Sequence, residues 1–545
     1  MQGGSAPAVT GEHDCLVALG QTPTLVRNFN PFANPPLDFT WGGIYEPLVV
    51  ITSAGGGHRY NWLAARLRWN KDRKTLLVTV RSGVEWSDGR PLTNRDVFYT
   101  LTAGRQNSVM DQIGLTAAHT NIASVELVGS RDVAIHLKAR DSTFVGAVLA
   151  NNLRVVPEHI FSMVRDVSGW TNPDPIGSGP FTEVMHFSGA DYVLSKNPHY
   201  WRSGQPHFSC IRRTVASSNQ AALLQLVSGD VDVSNMFVPN AENTYVSRDR
   251  RHFHFFYPAN SPPVGLFVDD TKYPFSLASL RRAMSMAIDR PRLSREAEYG
   301  YAPAVDAIGI DHVWQRWIGR GVATKARRLA TRDPVAARRT LLAAGFSFRA
   351  GELFDPRGRR VSLRAKVIAS WVDWVTTWQI ISRNFRDIGI RTNVQLVPAW
   401  GDWWPDASAT KAATLLWSYG SGPTPYGYFH SHLDAASFVP AGRDASATGN
   451  WEHFASTQGT ALLRAFKRTS DSDRQHRIAA KLERLWLDRL PFVPLFSAPS
   501  WSTYSTRYFT GFPNARDFYV DPSFLSSAYV VALTRIRPAN RTNIR

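Results

Sequence analysis

The sequence is poor in cysteine and has no long apolar run. Cys15 and Cys210 are the only cysteines in 545 residues, which excludes a four-cysteine zinc site and a disulfide-rich scaffold. No stretch reaches the roughly 18 uninterrupted apolar residues of a membrane-spanning helix. Residues 1–5 lead into polar sequence without the basic and apolar regions of a signal peptide. If the protein is exported, we expect this chain to be a mature or engineered form.

Enzyme signatures are also missing. The sequence contains no Walker loop, no His-Glu-x-x-His helix, no Gly-x-Gly-x-x-Gly and no Gly-x-Ser-x-Gly elbow. The histidine pairs at 252/254 and 430/432 have no acidic or cysteine partner at a recognised metal-ligand spacing. We therefore expect no catalytic residue, no metal and no cofactor. A glycan-active hydrolase stays an alternative, because the separation of its two carboxylates is spatial and cannot be read from the sequence.

What is present is a globular composition with a surplus of arginine and tryptophan. Hydrophobic residues make up 43% and charged residues 19%, and the net charge is 62 − 44 = +18, with only ten of the 62 basic residues being lysine. The basic residues are scattered, so we expect no nucleic-acid partner. Tryptophan, 18 residues, outnumbers tyrosine, 17 residues, and stacking on a ligand is one explanation for that surplus.

Alternating strand and helix patterns predict an α/β fold with mixed sheets, in about three to five domains or two lobes with an insertion. Capping signals predict a helix after Thr93, a helix ending at Gly229 and a helix from Asp333 to Gly345. Periodicity predicts further helices at 280–290 and 378–388, the latter inside a β/α/β unit over 363–397. Strands are predicted at 14–19, 76–84, 192–194, 197–201 and 231–233.

Aromatic and acidic side chains follow the first strand of this β/α/β unit. Trp371, Asp373 and Trp374 come directly after residues 365–369, at the strand end where open α/β sheets place ligands. An indole offers a flat apolar face to a sugar ring, and a carboxylate accepts hydroxyl hydrogen bonds. Two core tryptophans with Asp373 capping the next helix are the alternative. Trp501 has the same character, with a core position as its alternative.

An ordered set of motifs resembles the extracytoplasmic solute-binding proteins of family 5, which serve peptide and nickel ATP-binding-cassette (ABC) importers. The set consists of residues 45–48, 81–89, 175–181, 197–201 and 282–290. The resemblance implies a two-lobed type II periplasmic-binding-protein fold with a hinge and an inserted domain. We assign 1–50, 175–262 and 490–545 to lobe I, 51–174 to the inserted domain, and 263–489 to lobe II. The implied function is to hold a ligand between lobes that close, and to deliver it to a membrane permease.

Within this family, the chain is similar to the oligosaccharide branch, which includes chitooligosaccharide- and cellobiose-binding proteins. Residues 419–422 contain no acid where peptide binders place the counter-charge for an α-amino group. The resemblance therefore implies a β-linked oligosaccharide as ligand (cello-, chito-, manno- or xylo-type), and a di- or oligopeptide is the alternative. The implied ligand-binding residues are Arg27, Asn28, Tyr45, Trp371, Asp373, Trp374, Tyr426, Asn450, Trp451 and Trp501.

The resemblance also implies the setting of the protein. We expect an extracytoplasmic monomer, in the periplasm or as a lipoprotein on the outer face of the membrane, whose partners are the permease subunits. Cys15 and Cys210 fall in strand-like segments of the same lobe, so a disulfide between them is expected, with two buried free thiols as the alternative.

Overall fold

The computed structural model describes residues 14–21, 24–33, 36–52, 57–117, 120–151, 153–310, 312–420 and 422–539. Part of the predicted lobe I, residues 1–13, and Ser421 of the 419–422 stretch lie outside these ranges. Within them, no helix has the length and apolar character needed to cross a membrane.

The strands, in chain order, are β1 (Cys15–Gln21), β2 (Val49–Ile51), β3 (Arg59–Asn61), β4 (Ala64–Trp69), β5 (Thr75–Val80), β6 (Ile122–Val128), β7 (Asp132–Leu137), β8 (Phe181–Phe187), β9 (Asp191–Lys196), β10 (Cys210–Ala216), β11 (Val233–Ser234), β12 (Phe253–Phe255), β13 (Ser261–Phe267), β14 (Ser347–Arg349), β15 (Glu352–Phe354), β16 (Ser362–Ile368), β17 (Arg391–Val397), β18 (Thr414–Trp417), β19 (Val493–Ala498), β20 (Thr503–Ser505), β21 (Phe509–Thr510) and β22 (Arg537–Pro538).

The α-helices are α1 (Asn94–Thr102), α2 (Glu158–Phe161), α3 (Asn219–Ser228), α4 (Ala241–Thr244), α5 (Ala278–Ala287), α6 (Arg290–Arg292), α7 (Arg320–Ala330), α8 (Pro334–Ala343), α9 (Val372–Arg386), α10 (Trp400–Ala407), α11 (Tyr426–Leu433), α12 (Thr457–Lys467), α13 (Ser472–Arg489) and α14 (Val530–Leu533).

The chain divides into two units. The first unit comprises Met1–Phe256 and Ser500–Arg545, and the second comprises Tyr257–Pro499. These bounds lie at 256/257 and 499/500, whereas the predicted lobe bounds are at 262/263 and 489/490. The division of the first unit into a lobe and an inserted domain at 51–174 stays a prediction.

The first unit is built on a mixed sheet with β1 near its centre. The strand order is β12-β20-β11-β1-β10-β9-β8, and β1 runs parallel to β10 and β11 while the other neighbours are antiparallel. Cys15 and Cys210 are register partners on β1 and β10, and a disulfide joins them with their Cα atoms 4.3 Å apart. A separate antiparallel sheet, in the order β4-β5-β7-β6, lies within residues 64–137.

The second unit carries the β/α/β segment that holds the candidate site. Strands β16 and β17 are parallel partners from Ser362–Arg391 to Ile368–Val397, and α9 connects them. The order β18-β13-β19 forms an antiparallel sheet beside the helices. Alternating apolar positions of β16, such as Leu363 and Val367, enter the core of this unit.

Capping chemistry explains why several predicted helices begin and end where they do. Thr93 and Asp96 form a capping box at α1. The Thr93 side chain accepts a hydrogen bond from the backbone of the first turn, and the Asp96 side chain accepts one from the Thr93 N–H. Gly229 ends α3 in the left-handed conformation at φ 87°. Asp333 caps α8, which has Pro334 as its first residue.

Three sequence predictions are wrong in detail. Residues 197–201 form a turn and no strand, since Pro198 has no N–H and the Asn197 side chain accepts the His199 N–H. The helix predicted at 280–290 ends at Ala287, and Asp289 caps a new short helix. Helix α9 begins at Val372, six residues before the predicted start at Trp378.

Candidate functional site

Seven tryptophans of the second unit lie in one group, which we call the tryptophan cluster. Each ring centroid lies between 4.7 and 6.0 Å from that of at least one other member. The members are Trp371, Trp374, Trp400, Trp403, Trp404, Trp417 and Trp451. Such edge-to-face and offset contacts are the arrangements that aromatic rings prefer.

Four local structures bring these rings together. Trp371 stands at the start of α9 and Trp374 lies in its first turn, directly after β16. Trp400, Trp403 and Trp404 have the i, i+3, i+4 spacing that places side chains on one face of α10. Trp417 ends β18, and Trp451 follows the loop at Gly449.

The cluster has a buried base and an exposed rim. Trp403 and Trp451 are 1% exposed, and their Nε1 groups donate to the backbone oxygens of Lys366 and Trp417. Trp400 and Trp417 are 37% and 39% exposed. Tryptophan is highly buried on average in folded proteins, so neighbouring exposed rings mark a surface for a ligand or partner.

Tyr419 extends the exposed rim. Its side chain is 38% exposed, and its ring lies edge-on to Trp451 with 5.5 Å between centroids. Gly449 makes this contact possible, because it has φ 71° and a Cβ there would lie 2.4 Å from the Tyr419 ring. Gly449 therefore precedes Asn450 and Trp451 for a steric reason.

Asp373 is a buried carboxyl in the first turn of α9. Burial raises its pKa to about 6, and the backbone N–H groups of Asp373 and Trp374 oppose that rise. Asp373 is not the N-cap residue of α9, since the helix begins at Val372 and Trp371 occupies the N-cap position without a side-chain hydrogen bond. At pH 7 the carboxyl is mostly ionised, but it titrates much nearer neutrality than an exposed aspartate.

Glu298 forms an acidic pair with Asp373. Glu298 is 1% exposed, and burial raises its pKa well above the usual range, with the charge of Asp373 raising it further. Among the described residues, no hydrogen-bond partner is found for its Oε1. The charge of Asp373 thus opposes ionisation of the buried Glu298 carboxyl.

Asn450 and Tyr426 are buried in the interior of the second unit. Asn450 is fully buried, donates through Nδ2 to the backbone oxygens of Ser431 and Phe454, and accepts the Phe454 N–H. Tyr426 is 6% exposed, and its ring stacks on His430 with centroids 5.6 Å apart. Neither side chain belongs to the tryptophan cluster.

Two of the predicted residues of the first unit, Arg27 and Tyr45, contact residues 172–174. Arg27 donates to the Pro173 oxygen and pairs with Asp174 at 2.5 Å. Tyr45 is fully buried and accepts a hydrogen bond from Asn172, so we place it in the core and leave it out of the proposed binding surface. The Asn28 side chain accepts the Asn30 N–H.

Trp501 also lies in the first unit and is half-buried. Its ring makes an edge contact with Phe237 at 5.2 Å between centroids. The structure thus gathers Trp371, Trp374 and Trp451 of the predicted residues into one cluster, with Asp373 in the same helical turn.

Sequence reasoning missed six residues of this region, and one of them, Tyr419, was noted only as part of the acid-free stretch 419–422. Trp400, Trp403 and Trp404 carry a signal, because the pattern Trp-x-x-Trp-Trp places three rings on one helix face. Trp417 ends the short apolar run Leu415-Leu416-Trp417, which is a weaker signal. Glu298 carries no sequence signal, since its interaction with Asp373 depends on tertiary packing.

Within the described ranges, no group of three or more His, Cys, Asp or Glu side chains is arranged to hold a metal ion.

Comparison with protein families identifies one match over most of the chain. The family described as "Bacterial extracellular solute-binding proteins, family 5 Middle" matches residues 59–438. Protein XP55 of Streptomyces lividans is 28% identical over 310 residues, which cover 55% of this chain and 52% of XP55. The match thus spans about half the length of this curated relative.

Two solved structures show the fold. The periplasmic oligopeptide-binding protein of a Thermotoga maritima ABC transporter, solved with mannohexaose bound, is 23% identical, with TM-score 0.87 over 98% of this chain and 100% of that one. The oligopeptide-binding protein AppA of Bacillus subtilis, solved with a nonapeptide, is 18% identical, with TM-score 0.73 over 96% and 99%. The predicted mixed α/β type II periplasmic-binding fold is confirmed.

Proposed function

Because the chain belongs to family 5 of the bacterial extracellular solute-binding proteins, we propose that it is the substrate-binding subunit of an ABC importer for β-linked oligosaccharides. In this proposal the ligand has two or more sugar units, the protein works outside the cytoplasm, and membrane permease subunits receive the sugar. The protein binds its ligand without converting it.

The exposed rim of the tryptophan cluster is the observation that carries this proposal. Trp400, Trp417 and Tyr419 present aromatic surface that is 37–39% exposed, supported by buried tryptophans that hold it in place. Aromatic faces suit the C–H faces of β-linked sugar rings, which are flat and apolar. Repeated rings also match a ligand made of repeated units.

Asp373 supplies the polar side of the proposed site. A carboxylate beside indole rings accepts hydrogen bonds from sugar hydroxyls, and a charge-assisted bond of this kind contributes about 1.5–3 kcal/mol. Glu298 interacts electrostatically with Asp373, and its Oε1 has no hydrogen-bond partner among the described residues, so it is a second polar group for a ligand hydroxyl.

The acidic pair also favours a second candidate, a peptide ligand. An α-amino group needs a counter-charge in a water-excluded site, and Asp373 is an acid that could provide it. The described part of the 419–422 stretch, Tyr419, Gly420 and Gly422, has no acid. Both solved relatives are described as oligopeptide-binding proteins, and one of them was solved with a mannose oligomer. Peptides therefore belong in the test.

Thermal shift and calorimetric titration with a matched panel distinguish the two ligands. The panel holds cello-, chito-, manno- and xylo-oligosaccharides of two to six units, with di- to nonapeptides as the competing class. A ligand at 100 times its Kd adds about 2.7 kcal/mol to the folded state. We expect stabilisation by at least one oligosaccharide, none by peptides, and unchanged sugar on chromatography afterwards. Stabilisation by peptides alone would overturn the sugar assignment, and released sugar would point to a hydrolase.

A further inference from the structure

Three helices of the second unit carry basic residues and no acidic ones. Their 31 residues, in α5, α7 and α8, contain no Asp or Glu. The basic residues of these helices are Arg281, Arg282, Arg320, Lys325, Arg327, Arg328, Arg338 and Arg339. Arg281 is buried and pairs with Asp270, while the others are partly or fully exposed. We call the exposed side of these three helices the basic face.

A small cavity lies where the three helices meet. Helix α5 packs against both α7 and α8, and the cavity between them measures about 140 Å³. Its lining residues are Arg282 and Met286 of α5, Lys325, Arg328 and Leu329 of α7, and Thr340 of α8. Three cationic residues thus line this cavity together with two apolar residues and one threonine, in a space large enough for one phosphate group.

Only part of this positive charge is neutralised within the protein. Lys325 pairs with Asp488 at 2.7 Å, and Arg282 donates to the Asp488 backbone oxygen at 3.0 Å. Asp488 is itself 61% exposed. Arg328 has no ion pair among the residues that the structure describes. The cavity therefore keeps a positive charge that an anion would complement.

Helix α8 also exposes apolar side chains on its side away from the core, opposite the buried Ala337 and Leu341. Val335 and Leu342 are 63% and 55% exposed, and their spacing of seven residues places them on one side of the helix. Arg339, also exposed, lies between them on that side. Exposed apolar groups beside arginines are typical of helices that lie on the surface of a membrane, where the apolar groups enter the acyl boundary and the cations meet phosphates.

We propose that the basic face binds the phosphate headgroups of an anionic membrane. Each lysine or arginine close to such a surface contributes about fivefold to binding, which corresponds to roughly 1 kcal/mol. The apolar side chains of α8 favour a lipid surface over nucleic acid or a soluble phosphate. This inference goes beyond the proposed function, because it needs no sugar and places the protein at the membrane that holds its permease.

Flotation of the full chain with vesicles tests the proposal. The vesicles are pure phosphatidylcholine, or phosphatidylcholine with 30–40% phosphatidylglycerol, at about 50 and 200 mM salt. The test variant is Arg282→Gln/Lys325→Gln/Arg328→Gln. The control is Arg66→Gln/Arg68→Gln/Arg165→Gln, which removes the same charge from exposed positions of the first unit. A second variant, Val335→Ser/Leu342→Ser, keeps the charge and removes the apolar groups.

We expect the protein to bind anionic vesicles only, and salt to weaken this binding. The vesicle affinity should fall at least tenfold in the test variant, by a smaller factor in the serine variant and less than threefold in the control. Unchanged thermal unfolding shows that the variants are folded. If the triple variant does not fold, the single Arg328→Gln variant replaces it. Equal losses in the test and control variants would overturn the basic face as the site. Absence of binding to anionic vesicles, or full competition by 10 mM inorganic phosphate, would overturn the membrane as the partner.

Discussion

Each of the two units buries a glutamate, and the two glutamates differ in how their carboxyl groups are partnered. In the first unit, Glu46 accepts hydrogen bonds from Trp62, Ser178, Tyr200 and Trp201 at 2.6–3.2 Å. We call these five residues the Glu46 group. In the second unit, Glu298 has an Oε1 for which the described residues provide no partner.

The tryptophans show the same difference. Trp62 of the Glu46 group is 1% exposed, whereas Trp400 and Trp417 of the tryptophan cluster are more than a third exposed. A buried polar group without a partner costs about 1–3 kcal/mol, and folded proteins rarely keep one without a reason. The comparison teaches that a fully partnered acid with buried rings stabilises the fold. A buried acid that has an oxygen without a partner, and that lies in the same unit as exposed aromatic rings, is the better candidate for ligand binding.

Removing the acid of the Glu46 group is expected to have the largest effect. Glu46→Ala leaves four donors without their acceptor, so we expect the free energy of unfolding to fall by about 3–5 kcal/mol in a denaturant titration. Glu298→Ala is the matched change in the second unit and should cost less, about 1–2 kcal/mol. Equal losses in the two variants would contradict the comparison.

The disulfide offers a second way to weaken the first unit alone. Cys15→Ser/Cys210→Ser opens a covalent loop of 195 residues, and we expect a loss of about 2–5 kcal/mol in unfolding free energy. The affinity for the best ligand of the panel should stay within threefold when folded protein is titrated. An unchanged unfolding midpoint under non-reducing conditions would show that the bond adds no stability.

Truncating a tryptophan of the exposed rim tests the same comparison through ligand affinity. Trp417→Ala should weaken ligand binding by about 2 kcal/mol, roughly 30-fold, with little change in unfolding, because its ring is 39% exposed. Trp201→Ala, in the Glu46 group, is the control, and it should lower stability and leave affinity unchanged.

Trp371 and Trp501 remain proposed stacking residues, and their Ala variants belong in the same titration. Trp371 contacts four other tryptophans, so part of its loss will appear in stability. If all three variants bind the best oligosaccharide as tightly as the native chain, the stacking assignment is wrong.

Substitutions of Asp373 test the polar contact of the proposed site. Asp373→Ala should weaken sugar binding at least tenfold, which corresponds to about 1.4 kcal/mol, and Asp373→Asn should lose less because it keeps one acceptor. Calorimetry gives the affinity and thermal unfolding gives the stability of the same variants. Lower stability with normal sugar binding would assign Asp373 to the helix alone.

The smallest expected effect is on the pH dependence of stability. The pKa of Asp373 is about 6 in the folded protein and about 3.9 in an unfolded chain, so its contribution is fully present below about pH 4 and is lost as pH rises through 6. Asp373→Asn should remove this part of the slope and raise relative stability at pH 7 by about 1 kcal/mol. Parallel stability curves of the two proteins between pH 4 and 7 would refute the shift.

Local chemistry was readable from the sequence, and tertiary proximity was not. The helix starts at Thr93 and Asp333 and the helix end at Gly229 follow from contacts within one turn, so residue types alone predict them. At 197–201 the aromatic residues favoured a strand, but Asn197 and Pro198 made a turn.

The candidate site shows the same limit. Trp371 and Asp373 were predicted from their place after a strand, because the strand end is a local feature. The tryptophan cluster as a whole joins residues from 371 to 451, and no local pattern states that α10, β18 and the 449–451 loop meet. The triplet on α10 was missed as well, although its spacing on one helix face is a local signal that could have revealed it.

The bond between Cys15 and Cys210 has a consequence for proteolysis. It makes residues 15–210 a closed covalent ring, which includes the antiparallel sheet from β4 to β7 and its exposed turn at Gly129. One protease cut inside this ring, for example at that turn, opens it without releasing a fragment, so the nicked chain keeps its mass apart from one added water. Two bands appear on a denaturing gel only after reduction. The first unit can therefore be nicked in an oxidising compartment and still remain one molecule.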